Sequence, residues 1–525
     1  MPILTENILT ELNTLLSDMH DGGCVGPSVY DTAQLLRFHP NTPDHAGAYR
    51  WLIEQQHEDG GWGSPDFPLH RQVPTVAAIL SLHEAQPQPE GGSAALSAAA
   101  VYLEQEKDRY ADEIPDDAPI GVELILPQLC RQAAAFLPPL AYPRYGALYE
   151  AEAARLGKLE SLTAVPSGHP LFHSWESWGR SPTEVTPDPF GSVGISPSAT
   201  AAWLGLACAN ESADFHERER AARYLRNASR ATGVGVDGVV PNVWPIDVFE
   251  PCWSLYSLHL AGLFSHPALA SVKQTIAASI QAILTPRGLG PAQAFASDAD
   301  DTAIAAAVVQ LSGHSLTFDP LRQFEKGDLF VTFPGERNPS LSTTIHAVHS
   351  LSLLGTTSPA ARTYIENGKS DKGVWENEKW HASWLYPTSH AVAALAHGMP
   401  LWRDDDVLYK ILEAQHPSGG WGAGSAPTQE ETAYALFALR VMNDRVNADQ
   451  QDTLASAVAR ARDWLLARYQ PNRLPVTPLW IGKELYCPQR VVRVTELAGL
   501  WLALNWIAPR ADASDARTAT QGEGV

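Results

Sequence analysis

The chain reads as an all-α protein built from two (α/α) barrel domains, and three observations carry that reading. The first is an internal repeat: Gln55-Gln56-His57-Glu58-Asp59-Gly60-Gly61-Trp62-Gly63 is echoed by Ala414-Gln415-His416-Pro417-Ser418-Gly419-Gly420-Trp421-Gly422. In both copies a glutamine precedes the tryptophan by six residues, and Asp371-Lys372-Gly373-Val374-Trp375 is a degenerate third copy. The second is that each strong copy lies between two apolar-periodic helices rich in alanine and leucine, the unit of a helical-hairpin barrel. The third is the near absence of period-2 apolar alternation, which leaves little room for sheet.

Taken in chain order, the first helix of the amino-terminal pair spans 48–56 and its partner 75–83. Between them the Gly-Gly-Trp turn can end one helix on glycine and pin it with an indole. Further small-residue helices begin at Thr200, Thr302 and His390. The second strong pair spans 407–415 and 431–441. Proline-rich or acidic stretches at 86–91, 112–119, 138–143 and 181–190 read as loops. The small, polar residues 511–525 read as a fraying tail.

A length of 525 residues suffices for two domains, and 45% hydrophobic with 18% charged residues is a globular composition. The formal net charge of -22 speaks against nucleic acid and anionic membrane surfaces as partners. No apolar run reaches spanning length, so stable membrane insertion is not expected. Met1-Pro2-Ile3-Leu4-Thr5-Glu6 lacks the basic start of a targeting peptide, and Cys24, Cys130, Cys208, Cys252 and Cys487 form no C-x-x-C pair. A cytoplasmic protein with reduced cysteines is expected.

The chemistry concentrates in Asp298-Ala299-Asp300-Asp301, which runs into an apolar helix over 297–311. Three carboxylates in four positions repel one another, and burial raises the cost of ionising them together. A helix N-terminus favours the ionised form, which opposes this. On a regular helix Asp298 and Asp301 share a face and Asp300 points elsewhere. A carboxyl group that keeps its proton beside an apolar cavity is a Brønsted acid able to attack an alkene. Capping and solvated acids are the plainer alternative for such a motif alone.

Further segments bring a family into view. Ser28-Val29-Tyr30-Asp31-Thr32-Ala33, Ser196-Pro197-Ser198-Ala199-Thr200-Ala201, Phe324-Glu325-Lys326 and Trp480-Ile481-Gly482-Lys483 join the paired Gln-to-Trp repeats and the D-x-D-D stretch in one order. Together they resemble the class II terpene cyclases, and within them the bacterial diterpene cyclases of the ent-copalyl diphosphate synthase type. The resemblance implies a βγ architecture: 1–24 as the first helix of the β domain, 25–234 as an inserted γ barrel, 235–510 as the β barrel carrying D-x-D-D, and 511–525 as tail. It implies protonation-initiated cyclisation of geranylgeranyl diphosphate with the diphosphate retained. Asp300 would be the proton donor, and Asp298 and Asp301 would tune it.

Asp112-Glu113-Ile114-Pro115-Asp116-Asp117 resembles the family's acidic motif, which implies Mg²⁺ at Asp112, Glu113 and Asp116, a hard cation that bridges carboxylates to a diphosphate. Lys158 and Lys483 match lysines that hold the diphosphate. Phe172-His173-Ser174-Trp175-Glu176 and Val240-Pro241-Asn242-Val243-Trp244-Pro245 resemble the plant segments whose histidine and asparagine hold the deprotonating water, which implies that role for His173 and Asn242. Trp244, Trp375 and Trp384 are expected to face the substrate cation, with Phe295, Trp380 and Tyr386 near the same motifs. A solvated acidic loop, a solvent-facing lysine and tryptophans in ordinary core packing are the competing readings of these residues.

Three other functions stay open at this point. One is another labdane-type or a drimenyl diphosphate synthase, the latter acting on farnesyl diphosphate. The others are an (α/α) barrel glycosidase, which also uses tryptophans and paired acids, and a non-catalytic α-toroid. A homodimer is left open.

Overall fold

The computed structural model describes residues 2–507 except 40–41, 107, 138–144, 161–164, 180, 211, 337 and 377. The expected loop at 138–143 and the expected tail at 511–525 therefore lie outside the described residues. The helices in chain order are α1 (Pro2–Ser17), α2 (Val29–Phe38), α3 (His45–Glu54), α4 (Gln72–Glu84), α5 (Gly92–Gln105), α6 (Val122–Ala133), α7 (Gly146–Glu160), α8 (Pro197–Asn210) and α9 (Phe215–Ala231). They continue as α10 (Phe249–Leu260), α11 (Ala270–Ile283), α12 (Ala299–Leu311), α13 (Leu341–Leu353), α14 (Pro359–Asn367), α15 (Leu385–Ala396), α16 (Asp405–Glu413), α17 (Gln429–Asn443), α18 (Ala448–Leu466) and α19 (Gln489–Leu504). Two antiparallel hairpins of two-residue strands, β1 (Glu325–Lys326) with β2 (Leu329–Phe330) and β3 (Trp480–Ile481) with β4 (Leu485–Tyr486), complete the regular structure. The helix-rich, sheet-poor composition agrees with the sequence reading.

Two rings of helices result. In the larger ring α10, α12, α13, α15, α17 and α19 pack each on the next, and α19 closes on α10. These helices are buried on nearly every side, so their sequences are apolar or small all round. In the smaller ring α2 packs between α4 and α8, α6 packs on α4, and the 3₁₀ helix Pro170–Ser177 closes the circle between α8 and α6. Helix α1 precedes the smaller ring in sequence yet packs on α11 and α19 of the larger one, burying Ile8, Leu12 and Leu16. The hydrophobic core passes from the larger ring after Val25 and returns to it at Ile246, while Val239 and Val240 belong to the smaller ring's cores.

The repeats are repeats of hydrogen bonding. The Trp62 indole N–H donates to the Leu52 carbonyl, that of Trp375 to Ile365 and that of Trp421 to Ile411, at 2.7, 2.7 and 2.6 Å. Gln56 Nε2 donates to the carbonyls of Gly60 and Ala95, and Gln415 Nε2 to those of Gly419 and Ala457. Each pairing ties the end of an outer helix to its turn and to the next outer helix. Gly60 and Gly419 sit at φ of 90° and 111°, where a Cβ would strike the backbone of Ala98 or Arg460.

A second repeat is cryptic in the sequence. A threonine near the start of an inner helix accepts a backbone N–H from the preceding turn: Trp62 to Thr75, Leu289 to Thr302, Phe330 to Thr344, Trp375 to Thr388 and Trp421 to Thr432, all at 2.9–3.2 Å. The same bond joins Val240 to Thr32 and Val193 to Thr200. These hydroxyls satisfy amides that the turn buries without a helical partner. Thr75→Val keeps the side-chain shape and orphans the Trp62 amide, so it should destabilise the protein by about 1–3 kcal/mol in denaturant unfolding. An unchanged midpoint would show that the hydroxyl is dispensable.

Candidate active site

Residues at or just before the starts of α10, α12, α13, α15 and α19 meet at one mouth of the larger ring. An apolar cavity opens there, bounded on the other side by the smaller ring. Its walls come from Phe249 and Trp253 at the start of α10, Phe295, Phe333, Trp380 and Trp480, with Ile120, His173 and Ile195 from the smaller ring. The aromatic faces suit a cationic ligand.

The cavity floor holds the carboxylates. Asp298 is the N-cap of α12 and its Oδ1 accepts the Asp301 amide at 2.8 Å. Asp301 Oδ1 accepts the Trp253 indole N–H at 3.1 Å. Asp300 takes a partner on another helix: its Oδ1 lies 2.5 Å from His346 Nδ1 on α13. The split expected from helix geometry is the split observed. All three groups are buried and all three line the cavity. Burial, then mutual repulsion, lifts the Asp298 carboxyl well above the usual range; burial and the Asp300 charge push Asp301 up to about 7. Desolvation and crowding thus outweigh the helix dipole.

Behind Asp300, His346 Nε2 is 2.8 Å from His390 Nδ1 on α15. Sequence reasoning missed His346 altogether and treated His390 as the start of a helix. The available signal was position: both histidines fall in the early turns of apolar inner helices, where Asp300 sits in α12.

His173 and Asn242 both line the same cavity. His173 Nδ1 is 2.9 Å from the Gly194 carbonyl. A backbone carbonyl only accepts, so Nδ1 carries the hydrogen and Nε2 is left as an acceptor. Burial, reinforced by the Lys483 charge, lowers this imidazole to about 3 and keeps it neutral. Asn242 donates one Nδ2 hydrogen to Asp31 at 3.1 Å, and Gly482 packs so tightly on its Oδ1 that a Cβ would come within 2.0 Å.

Several expectations need correction. Lys483 does not reach the cavity: its ammonium is fully buried and is taken up by Asp31, Glu176, Ser196 and Ser198. Its neighbours Ile481 and Gly482 line the cavity instead. Trp375 is buried in the repeat turn already described and is absent from the cavity wall. Trp244 packs on Tyr224 and donates to the Gly23 carbonyl, and Trp384 packs on the larger core as the N-cap of α15. Neither lines the cavity. Of the six rings named from sequence, Phe295 and Trp380 are in the wall.

A second, polar cavity adjoins the first at Ile120. It is lined by Asp116, Glu123, Arg155, Lys158, Asn338 and Lys379 among others. Arg155 pairs with Glu123 at 2.8 Å, and Lys379 pairs with Glu336. Asp112 and Glu113 are exposed and do not line it. Among the described residues no three His, Cys, Asp or Glu side chains converge on a point that could hold a metal ion. The donor set therefore does not make a protein-only Mg²⁺ cage at Asp112, Glu113 and Asp116. It suits the ion only as Mg²⁺ is held beside phosphates, by one or two carboxylates plus the ligand's own oxygens.

No family model matches the chain. It is 35% identical over 520 residues to (+)-kolavenyl diphosphate synthase of Herpetosiphon aurantiacus, covering 95% of this chain and 98% of that protein. It is 31% identical over 509 residues to ent-copalyl diphosphate synthase of Streptomyces sp., covering 93% and 94%. The solved structure of ent-copalyl diphosphate synthase from Streptomyces platensis superposes with a TM-score of 0.78 at 30% identity, covering 95% of this chain and 99% of that one.

Linkage follows from the floor carboxylates. Asp301 binds its proton more tightly folded than unfolded, so its contribution to stability is fully present below about pH 4 and is lost as pH rises to about 7. Asp301→Asn removes that proton equilibrium. Thermal unfolding across this window should therefore fall less steeply with pH in the variant than in the wild type; equal slopes would mean that Asp301 is ionised in the folded protein.

Proposed function

The chain belongs to the class II diterpene cyclases, and from that premise we propose that it converts geranylgeranyl diphosphate to ent-copalyl diphosphate. The observation that carries the reading is one cavity lined both by the carboxyl cluster and by a neutral imidazole and an amide. The prenyl chain lies along the aromatic wall. Its diphosphate sits in the adjoining polar cavity near Lys158, with Lys379 as a further cation that sequence reasoning had not named. Mg²⁺, where bound, would be held by Asp116 and the substrate's phosphates and would neutralise their charge.

Asp300 gives its proton to the terminal alkene. His346 occupies Asp300 Oδ1, so the other oxygen is the one free to present a proton to the cavity. Asp298, which caps α12, and Asp301, which accepts the Trp253 indole N–H, fix the floor beside the donor. Two rings close, and the rings of Trp253, Phe249 and Trp480 face the migrating positive charge. At the far end, a water that donates to His173 Nε2 and accepts from Asn242 takes the exocyclic methyl proton. The imidazole is a weak base, but a tertiary carbocation is so strong an acid that position matters more than basicity. The product stays a diphosphate because no step attacks the C–O bond.

The 35% identity to (+)-kolavenyl diphosphate synthase favours a second reading, in which the same protonated start leads to a different bicyclic diphosphate. Incubation with geranylgeranyl and farnesyl diphosphates plus Mg²⁺, dephosphorylation and chiral chromatography of the alcohols separates the readings. Copalol of the ent series supports the first; any other bicyclic alcohol replaces it.

Asp300→Asn should lower turnover by about 10²–10⁴-fold or more while leaving substrate affinity nearly intact, as expected of a general acid. Comparable loss of affinity in a binding titration would make Asp300 a binding residue. His173→Ala should leave protonation in place and let water capture the bicyclic cation, so a hydroxylated diphosphate should appear beside the alkene. An unchanged product ratio in a folded variant would remove His173 from the terminating step.

A further inference from the structure

Three tryptophans stand in the wall of the cavity, and their indole N–H groups meet different surroundings. Trp253 donates to Asp301 in the acid floor at 3.1 Å. Trp480 donates to Glu430 Oε1 at 2.9 Å. Trp380 buries its N–H with no partner. A tryptophan can therefore hold its place in this wall without a carboxylate, and burying a charge is a costly way to tether one. Glu430 does not line the cavity and has no part in the protonation or deprotonation steps.

Glu430 is buried in the first turn of α17. Its Oε1 gathers the Trp480 indole, the Tyr434 hydroxyl at 3.1 Å and His381 Nε2 at 3.4 Å. His381 Nδ1 accepts the Ser383 amide at 3.1 Å, so the ring carries its one hydrogen on Nε2 and is neutral. Every partner is thus a donor, and Oε2 has no acceptor toward which an acid proton could point. That is the donor set of an ionised carboxylate, and the N-terminus of α17 adds to it. Among the described residues no lysine or arginine pairs with Glu430. On its other side Trp480 meets the rings of Phe249 and Trp253 nearly at right angles, with centroids 5.3 and 5.8 Å apart, and all three line the cavity.

We propose that Glu430 is a positioning residue for the cyclisation: held as a carboxylate behind Trp480, it strengthens the attraction of that indole for the carbocation. The inference rests on the cyclisation proposed for this cavity. No bond to substrate forms or breaks at Glu430, and no proton passes through it.

Two physical effects act together. A negative charge on the N–H pushes electron density toward the indole face, which deepens the attraction of the ring for a cation. The same charge attracts the cation directly through an interior that screens it poorly, and no paired lysine or arginine cancels it. The intervening ring also protects the reaction. A carboxylate in contact with a carbocation would take a proton from it or trap it as an ester, and either event would end the cyclisation early. The indole passes on the attraction and presents neither a base nor an oxygen nucleophile.

Glu430→Gln tests this, because it keeps an acceptor oxygen for the Trp480 N–H and removes the charge. The probes are an aza analogue of geranylgeranyl diphosphate with an ammonium nitrogen at the first cationic carbon, a bicyclic ammonium diphosphate that mimics the ring-closed cation, and the uncharged carbon isostere of each. In the wild type each ammonium compound should bind more tightly than its isostere. In Glu430→Gln that preference should shrink by about threefold to thirtyfold for at least one pair, the span of cation–π contacts, while the isosteres bind as before. Turnover should fall by a similar factor with KM nearly unchanged. Trp480→Phe keeps a ring in the wall and cuts the link to Glu430, so it should lose about threefold or more of the preference by itself. In that background Glu430→Gln should cost less than it does alone. An undiminished preference in either folded single variant would overturn the proposal and leave Glu430 as a fastening for β3. An equal cost of Glu430→Gln with and without Trp480 would overturn it as well. A wild type that makes no cyclic product and does not prefer the ammonium compounds would instead remove the cyclase reading, a result separate from failure of Glu430.

Discussion

One buried ammonium joins the two rings. Lys483 follows the β3 strand of the larger ring, yet its side chain ends among Asp31 of α2, Glu176 of the 3₁₀ helix and the serines that open α8, all in the smaller ring. Leaving any of these charges unpaired in the interior would cost several kcal/mol, so the cluster holds only when the rings are docked in one register. Asp31 in turn accepts from Asn242, and the Lys483 charge helps keep His173 neutral. Adjacent backbone contacts, Ile120 to Gly482 and Gly26 to Cys487, seal the same seam. The shape of the cavity and the state of its far wall both descend from this contact.

The acid end is set by a different balance. A helix N-terminus ordinarily steadies negative charge by roughly 0.3–1 kcal/mol at exposed sites. Here α12 begins inside the protein, and the loss of water costs more than the dipole returns. The capping role goes to Asp298, the indole bond to Asp301 and the histidine to Asp300. Three chemically identical side chains thus acquire three environments within one helical turn.

The two mouths of the inner ring differ in character. Its N-terminal mouth carries the carboxyl floor and the aromatic wall; its C-terminal mouth carries histidines and arginines. Threonine bonds fasten the starts of four of its six inner helices, α12, α13, α15 and α17, to the turns before them. The outer helices α14 and α16, tied by the Trp375, Gln415 and Trp421 bonds, brace that ring from outside.

Helix content, the paired turns and the acid motif were legible in the sequence because each depends on residues close along the chain. Gln56 to Trp62 and Gln415 to Trp421 are local pairs, and the bond that joins Asp298 to the Asp301 amide follows from helical geometry alone. His173 and Asn242 were named from a likeness of segments, and the structure brings them to one cavity. What misled was distance. Lys483, Trp375, Trp244 and Trp384 carry side chains suited to a substrate site, but whether a lysine meets a phosphate or a buried aspartate depends on partners hundreds of residues away. His346 and His390 carried no local signature for the converse reason: their meaning arises only when α13 and α15 are packed beside α12. Sequence alone determined which local units form, since their bonds close within a few residues; tertiary structure decided which side chains share the cavity, since burial and charge pairing are settled only when distant helices meet.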